Sequence, residues 1–304
     1  MPSPSSRRFL IVVNPMANDR AQYYLERLRQ GLRERGDELE VWYTTANEQA
    51  NLRHLNQCKT AFTDWVVIGG DGTFNLVVNV LAHSQVPLAL IPCGSGNDFA
   101  RNLFSSADDP VAIALGELSQ RVDLGLCNER YFANVLGVGF DGAVVASMYD
   151  KQPRRFRRWR YLLVALQQLF GYREQQVQLQ SSLQKNADCF IAAFANGRYF
   201  GGGMQIAPRA SIDDGMLDCC WVGKAGLAKK LYYLARIFQG RHLQADVVEY
   251  WQDRQFSILT PNLPIEGDGE FFGVTPARIQ VVPQAIALKL PRGEMTARVR
   301  PIKG

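Results

Sequence analysis

The apolar positions of the first 120 or so residues follow two alternating rhythms. Phe9–Val13 is a continuous apolar run of strand length, as a strand covered on both faces requires. Asp19–Arg35 then carries Ala21, Tyr24, Leu25, Leu28 and Leu32 at helical spacing and stops at Gly36. Leu39–Tyr43 reads as a strand, Glu48–Cys58 as a helix and Trp65–Ile68 as a strand. A helix with Phe74, Val77, Val78 and Leu81 on one face follows, then a strand at Leu88–Ile91, with further helices expected from Asn97 and Pro110. Such alternation predicts a parallel sheet covered by helices on both faces.

After about Asp123 the rhythm changes. Short β candidates lie at Tyr131–Val138, Glu174–Gln180, Asp188–Ala195, Met204–Ala207, Met216–Val222, Gln255–Leu259, Arg278–Val282 and Ala285–Leu290. Helical segments are expected near Arg154–Phe170 and Leu227–Phe238. Short strands with Gly, Pro or Asn between them predict an antiparallel sandwich or barrel as a second domain.

Composition narrows the class. The 304 residues are 47% hydrophobic and 21% charged, a globular balance with room for one large or two ordinary domains. No apolar run nears the roughly 20 residues of a spanning helix; Tyr161–Phe170 is interrupted by two glutamines. Phe9–Val13 is too short for a secretory core. The six cysteines show no paired spacing and read as reduced thiols of a cytosolic protein. His54, His83 and His242 are scattered without metal spacing, so Ser-His or Cys-His nucleophilic chemistry has little support. A net charge of +5 does not by itself argue for nucleic acid.

The candidate chemistry sits at strand ends. Gly69-Gly70-Asp71-Gly72-Thr73 leaves a strand and opens a helix, which places it at the carboxyl edge of a doubly wound sheet. Its glycines would allow positive φ and close backbone approach, and the helix start would face an anion. A tight packing turn explains the glycines equally well, but Asp71 makes more sense beside a magnesium ion or a donor hydroxyl. Pro92-Cys93-Gly94-Ser95-Gly96-Asn97-Asp98-Phe99-Ala100-Arg101 repeats the arrangement at the next strand end. Ser95 could donate to a phosphate or cap the helix, and Arg101 could neutralise phosphate charge.

These two loops together resemble the diacylglycerol-kinase catalytic-domain family, which includes diacylglycerol, sphingosine and ceramide kinases and soluble bacterial relatives. Other motifs follow in order: Asn14-Pro15; Asp123-Leu124-Gly125 with Phe132-Ala133-Asn134 and Gly137-Val138-Gly139-Phe140-Asp141; Asn196-Gly197 with Gly201-Gly202-Gly203-Met204; Asp213-Asp214-Gly215-Met216; and Gly267-Asp268-Gly269-Glu270. The resemblance implies an N-terminal phosphofructokinase-like α/β domain over residues 1–124, rejoined by about 290–304. It implies a C-terminal β-sandwich over 125–289 that binds the lipid, with ATP between the two.

Carried over, the nucleotide positions are Asn14, Thr44, Gly69, Gly70, Asp71, Gly72, Thr73, Phe74, Asn75 and Ser95. Glu270 matches the general base that takes the proton of the lipid hydroxyl. Asp71, Asp98 and Asp123 match acids that organise Mg²⁺. Ser211, Asp214 and Met216 match a separate metal site, where Ca²⁺ is an alternative. Two departures stand out: the first loop reads Asn14-Pro15-Met16-Ala17-Asn18, and Asn75 is followed by Leu76 where the family has glutamate.

The densest charge run, Arg154–Arg160, interleaves arginines with Phe156 and Trp159. It reads either as a solvated helix face or as an anchor for an anionic membrane surface. No nucleic-acid fold accompanies it. The leading expectation is therefore a cytoplasmic ATP-dependent lipid kinase, compatible with a homodimer and, on the second reading of Arg154–Arg160, with peripheral contact at the inner membrane face. The rivals are an NAD-kinase-like enzyme and a catalytically silent nucleotide- or lipid-binding regulator.

Overall fold

The computed structural model describes residues 6–149, 164 and 167–291. The basic run Arg154–Arg160, most of the helix expected around it, and the tail from residue 292 lie outside the described residues.

The first half contains β1 (Arg8–Val13), α1 (Asn18–Arg35), β2 (Glu38–Tyr43), α2 (Glu48–Cys58), β3 (Asp64–Gly69), α3 (Asp71–Leu81), β4 (Leu88–Pro92), α4 (Ala100–Leu103) and α5 (Pro110–Leu115). The strands pair in parallel in the order β2-β1-β3-β4. Side chains alternate across a strand, so each strand feeds two apolar layers. Phe9, Ile11, Val66 and Ile68 pack with Leu25, Leu28 and Leu32 of α1 and with α5. Leu10, Val12, Val67 and Leu90 pack on the opposite face with Leu55 of α2 and with Phe74, Val77 and Leu81 of α3. The result is a mixed α/β domain, as the alternation predicts.

The second half comprises β5 (Ser119–Cys127), β6 (Arg130–Phe132), β7 (Val135–Gly139), α6 (Phe140–Tyr149), β8 (Gln175–Gln180), β9 (Gln184–Ala195), β10 (Leu217–Gly223), α7 (Leu227–Ile237), β11 (Val248–Asp253), β12 (Gln255–Ile258), β13 (Pro264–Gly267), β14 (Glu270–Val274) and β15 (Ala277–Lys289). It is an antiparallel β-sandwich. Phe132, Leu136, Phe194, Trp221, Phe256, Ile265 and Ile279 fill its interior. A second apolar layer includes Phe140, Phe190, Ala193, Cys220 and Ile237.

A single ribbon joins the halves. Ser119–Val122 of β5 pair with Ile286–Lys289 of β15, and Leu124–Cys127 pair with Ile279–Val282. Leu288 also pairs in parallel with Leu88 of β4, so all fifteen strands belong to one hydrogen-bonded network. The two strands expected at Arg278–Val282 and Ala285–Leu290 are thus one strand, interrupted where its register shifts. Pro283 has no N–H to give the ladder, and Gln284 takes a φ of 50° at that bulge. The boundary expected after residue 124 falls inside β5.

One expected strand is absent. Met204–Ala207 makes a lone bridge from Met204 to Phe200, because Gly201, Gly202 and Gly203 all adopt left-handed φ and turn the chain there. Strands β5, β11, β13 and β14 have no counterpart among the strands expected from the sequence. All six cysteines are free, and Cys127, Cys189, Cys219 and Cys220 are buried.

Candidate active site

The ends of β1, β2, β3 and β4 bring the first half's motifs to one edge. Asn14 follows β1, and its amide donates to Thr73 Oγ1 at 3.2 Å. Thr44 follows β2 and donates its backbone N–H to Val13 O at 2.9 Å. Gly70, without a side chain to offer, caps α3. The first-turn N–H groups of α3 therefore open onto this edge, where the helix dipole favours an anion.

The glycines are required by contact rather than by φ. None of Gly69, Gly70, Gly72, Gly94 or Gly96 lies in the left-handed region, contrary to the expectation of positive φ. A Cβ on Gly70 would lie 2.9 Å from Gly94 Cα, and one on Gly94 2.5 Å from Gly70 Cα. The two loops touch backbone to backbone. Asn97, at φ 54°, closes the second loop on itself: its Oδ1 accepts from Gly94 N and its Nδ2 donates to Gly94 O, each at 2.8 Å. Ser95 stands exposed at the tip.

Two acids converge beneath that tip. A Cβ on Gly96 would lie 3.0 Å from Asp71 Oδ2 and 3.6 Å from Asp98 Oδ2. Asp71 Oδ1 accepts from Phe99 N at 3.1 Å, and Asp98 Oδ2 from Gly202 N at 2.7 Å. Burial pushes the Asp98 carboxyl up, and the Asp71 charge adds to this while the Gly202 N–H opposes it. Asp98 Oδ1 is buried without a hydrogen bond, 3.4 Å from Arg101 Nε. A buried carboxylate oxygen without a hydrogen bond, beside a second carboxylate, suits Mg²⁺, which uses one or two protein carboxylates plus phosphate and water.

The other half supplies Glu270. A Cβ on Gly72 would sit 2.8 Å from Glu270 Oε1, so the Glu270 carboxylate rests on the first turn of α3. Asp268 fixes it there. The Asp268 carboxylate accepts from the N–H groups of Ala133 (2.7 Å), Asn134 (2.9 Å) and Val135 (3.2 Å) and from the Asn75 amide (2.8 Å). Burial pushes it up to about 6 against those donors.

Several motif residues also make structural contacts. Asn75 is buried and spends its amide on Asp268 and on Tyr131 O, so it ties α3 to the sandwich. Phe74 stacks on Phe99 in the core at 4.8 Å. Leu76 packs against the same core, which explains an apolar residue there. Asp123 lies at the β5–β15 bulge, its oxygens accepting from Gln284 N and Gly215 N at 2.7 Å each. Its charged neighbour is Asp214 rather than Asp71 or Asp98. At the expected second metal site, Ser211 donates to Asp213 at 2.6 Å, and Asp214 accepts from Met216 N at 3.0 Å and from Gln252 at 3.2 Å. Among the described residues no group of three or more His, Cys, Asp or Glu has the geometry to hold a metal.

Residues 8–127 match the family described as "Diacylglycerol kinase catalytic domain", and residues 134–290 match "YegS C-terminal NAD kinase beta sandwich-like domain". A diacylglycerol kinase of Mycobacterium tuberculosis is 31% identical over 277 residues, covering 86% of this chain and 87% of that protein. The chain belongs to the diacylglycerol kinase family. A Chromohalobacter salexigens relative named as a YegS-like lipid kinase is 30% identical over 74% of this chain and 75% of its own length. A crystal structure of a diacylglycerol kinase from Bacillus anthracis shares the fold, with a TM-score of 0.72 at 19% identity over 95% of this chain and 99% of that one. No helix among the described residues of this chain is long and apolar enough to cross a membrane.

Sequence reasoning did not single out Asp268, Asn102 or Asn134 as site residues. Asn102 donates to Asn134 Oδ1 at 3.1 Å and accepts from Arg198 N at 2.9 Å, sewing α4 to the sandwich. Asp268 stands beside Glu270 in the late acidic motif, and that adjacency was the available signal.

Proposed function

We propose that this chain transfers the γ-phosphoryl group of ATP to the hydroxyl of a glycerolipid or sphingoid lipid. The observation that carries the reading is Glu270, a carboxylate of the sandwich, resting on the phosphate-facing start of α3. Asn14, Thr44, Gly69–Thr73 and Ser95 would hold the nucleotide at the sheet edge. The open N–H groups of α3 and the Arg101 guanidinium would face the phosphates. Asp71 and Asp98 would hold Mg²⁺, which neutralises triphosphate charge when bound. Glu270 would take the acceptor's proton as the hydroxyl oxygen bonds to the γ-phosphorus and the bond to the β-phosphate oxygen breaks. Asp213 and Asp214, with Asp123 behind them, would attract a cation to the Ser211–Met216 turn.

The test is transfer of label from γ-labelled ATP to a panel of diacylglycerol, sphingoid base and NAD. Lipid labelling is expected, with Glu270→Gln lowering kcat by about 10²–10⁴-fold in a folded protein. An undiminished Glu270→Gln variant would remove Glu270 from the role of base. Labelling of NAD alone would favour the reading suggested by the NAD-kinase-like sandwich. ATP binding without any transfer would favour a silent regulator.

A further inference from the structure

We propose that Asp141 and Glu266 share one proton and act as a positioning pair that sets the height of the Asp268-Gly269-Glu270 turn. Proton sharing rests on geometry alone; its consequence for turnover rests on the reading of Glu270 as base.

Gly137 of β7 is directly opposite Glu266 of β13. Residues paired this way place their side chains on one face, with Cβ atoms about 5 Å apart. Position 137 has no side chain, and a Cβ there would lie 1.6 Å from Asp141 Oδ2. The Asp141 carboxyl therefore fills the empty slot beside Glu266. The start of α6 is pressed against β13 as well, since a Cβ on Gly142 would lie 2.1 Å from Pro264 O. Both acids are buried, at 1% and 6% exposure.

One oxygen of each carboxyl has a partner. Asp141 Oδ1 accepts from Gly142 N at 2.9 Å, and Glu266 Oε1 accepts from Gly269 N. The other two, Asp141 Oδ2 and Glu266 Oε2, are buried without a hydrogen bond among the described residues. Two ionised oxygens in one dry slot repel each other, whereas a single proton between them serves one as donor and the other as acceptor. Asp268 and Glu270 also face Glu266, while Tyr172 and Cys189 face Asp141, and none of these offers a positive charge. Burial, and then the Asp141 charge, push Glu266 well above the usual carboxylate range, and burial pushes Asp141 up to about 6. Because Glu266 Oε1 holds the Gly269 N–H, any separation of the pair moves the turn that presents Glu270.

Amide substitutions test this in a way that a purely steric role would not reproduce. Glu266→Gln or Asp141→Asn replaces the shared proton with an amide N–H and keeps the oxygen that holds the backbone. In Glu266→Gln/Asp141→Asn two donors meet and no acceptor remains. The double variant should fall short of the sum of the singles in urea unfolding, and its kcat should lie about tenfold or more below their product at little-changed KM for ATP. Additive effects would overturn the proposal.

Wild type should also show a protonated-carboxyl infrared band at neutral pH that Glu266→Gln removes; its absence from wild type would likewise overturn the proposal. Unfolded carboxyls release their protons near pH 4, and the folded pair releases its proton only at higher pH. The pair's contribution to wild-type stability should therefore fall as pH rises through that interval, and each single variant should remove that component from the pH dependence. Failure of wild type to label any lipid would reject the proposed function and leave the unfolding cycle and infrared band to judge the pair.

Discussion

The two turns that meet across the site are both written with glycine and use it for opposite reasons. At the end of β3, Gly70 sits at φ −100° and could hold any residue by backbone conformation, but Gly94 of the neighbouring loop leaves no room for a Cβ. At the β13–β14 turn, Asp268 and Gly269 have φ of 50° and 83°, the paired left-handed conformation of a two-residue hairpin, and nothing lies within 4 Å of a Cβ on Gly269. The first turn is held by the surface it touches. The second is held by what its side chains grip, above all the four donors on Asp268. A turn locked by contact cannot adjust, whereas a turn locked by hydrogen bonds can be moved by losing any of them.

The largest effect should follow from releasing that grip. Asp268→Ala leaves the Ala133, Asn134 and Val135 N–H groups and the Asn75 amide without their acceptor, at a cost of roughly 4 kcal/mol or more in urea unfolding. Asp268→Asn keeps part of the acceptor set and should recover part of that loss. Next comes the locked turn. Gly94→Ala places a Cβ 2.5 Å from Gly70 Cα and should cost about 2–3 kcal/mol, with weakened ATP binding measured by calorimetry. A stable Gly94→Ala protein with normal ATP affinity would show that the loops need not touch.

The same contrast explains what could be read from the chain. The parallel half was legible because Phe9–Val13, Trp65–Ile68 and Leu88–Ile91 are apolar throughout, and α1 carries Ala21, Leu25, Leu28 and Leu32 at helical spacing. The sandwich was less legible. Pro264–Gly267 is four residues with a buried acid, and Ala277–Lys289 hides its continuity behind Pro283. The motifs named the site's neighbourhood but not which member touches what. Phe74 and Asn75 follow Thr73 directly in sequence, yet helix geometry turns them into the core and toward Tyr131. Asp123 and Asp71 are equally acidic in sequence; only the structure shows that Asp71 lies beside Asp98 while both oxygens of Asp123 are taken by Gly215 N and Gln284 N at the β15 bulge.

Acid should sharpen the difference between the halves. His242 packs inside the sandwich with Nε2 donating to Ile206 O at 3.1 Å, and burial lowers it to about 4. A histidine depressed in the fold takes up its proton first in the unfolded chain. Its contribution is thus complete above the ordinary value near 6.5 and is lost as pH falls toward 4. Between pH 7 and pH 5 this amounts to about 2 kcal/mol, which His242→Gln should largely abolish in urea unfolding. Hydrogen exchange at pH 5 should show the strands around Cys220 opening before β1 and β3.

Gly269→Ala should have the smallest effect and is the most direct check on how the second turn is held. Nothing occupies the space of the new methyl group, so the only cost is a φ of 83° on a residue with a Cβ, about 1 kcal/mol. The Gly269 N–H still reaches Glu266, and Asp268 keeps its four donors, so Glu270 should remain on Gly72. Unfolding should therefore shift slightly while KM for ATP stays constant, in contrast to Gly94→Ala. A loss of stability as large as that of Gly94→Ala would mean that the hairpin conformation, and not the grip of Asp268, carries the turn.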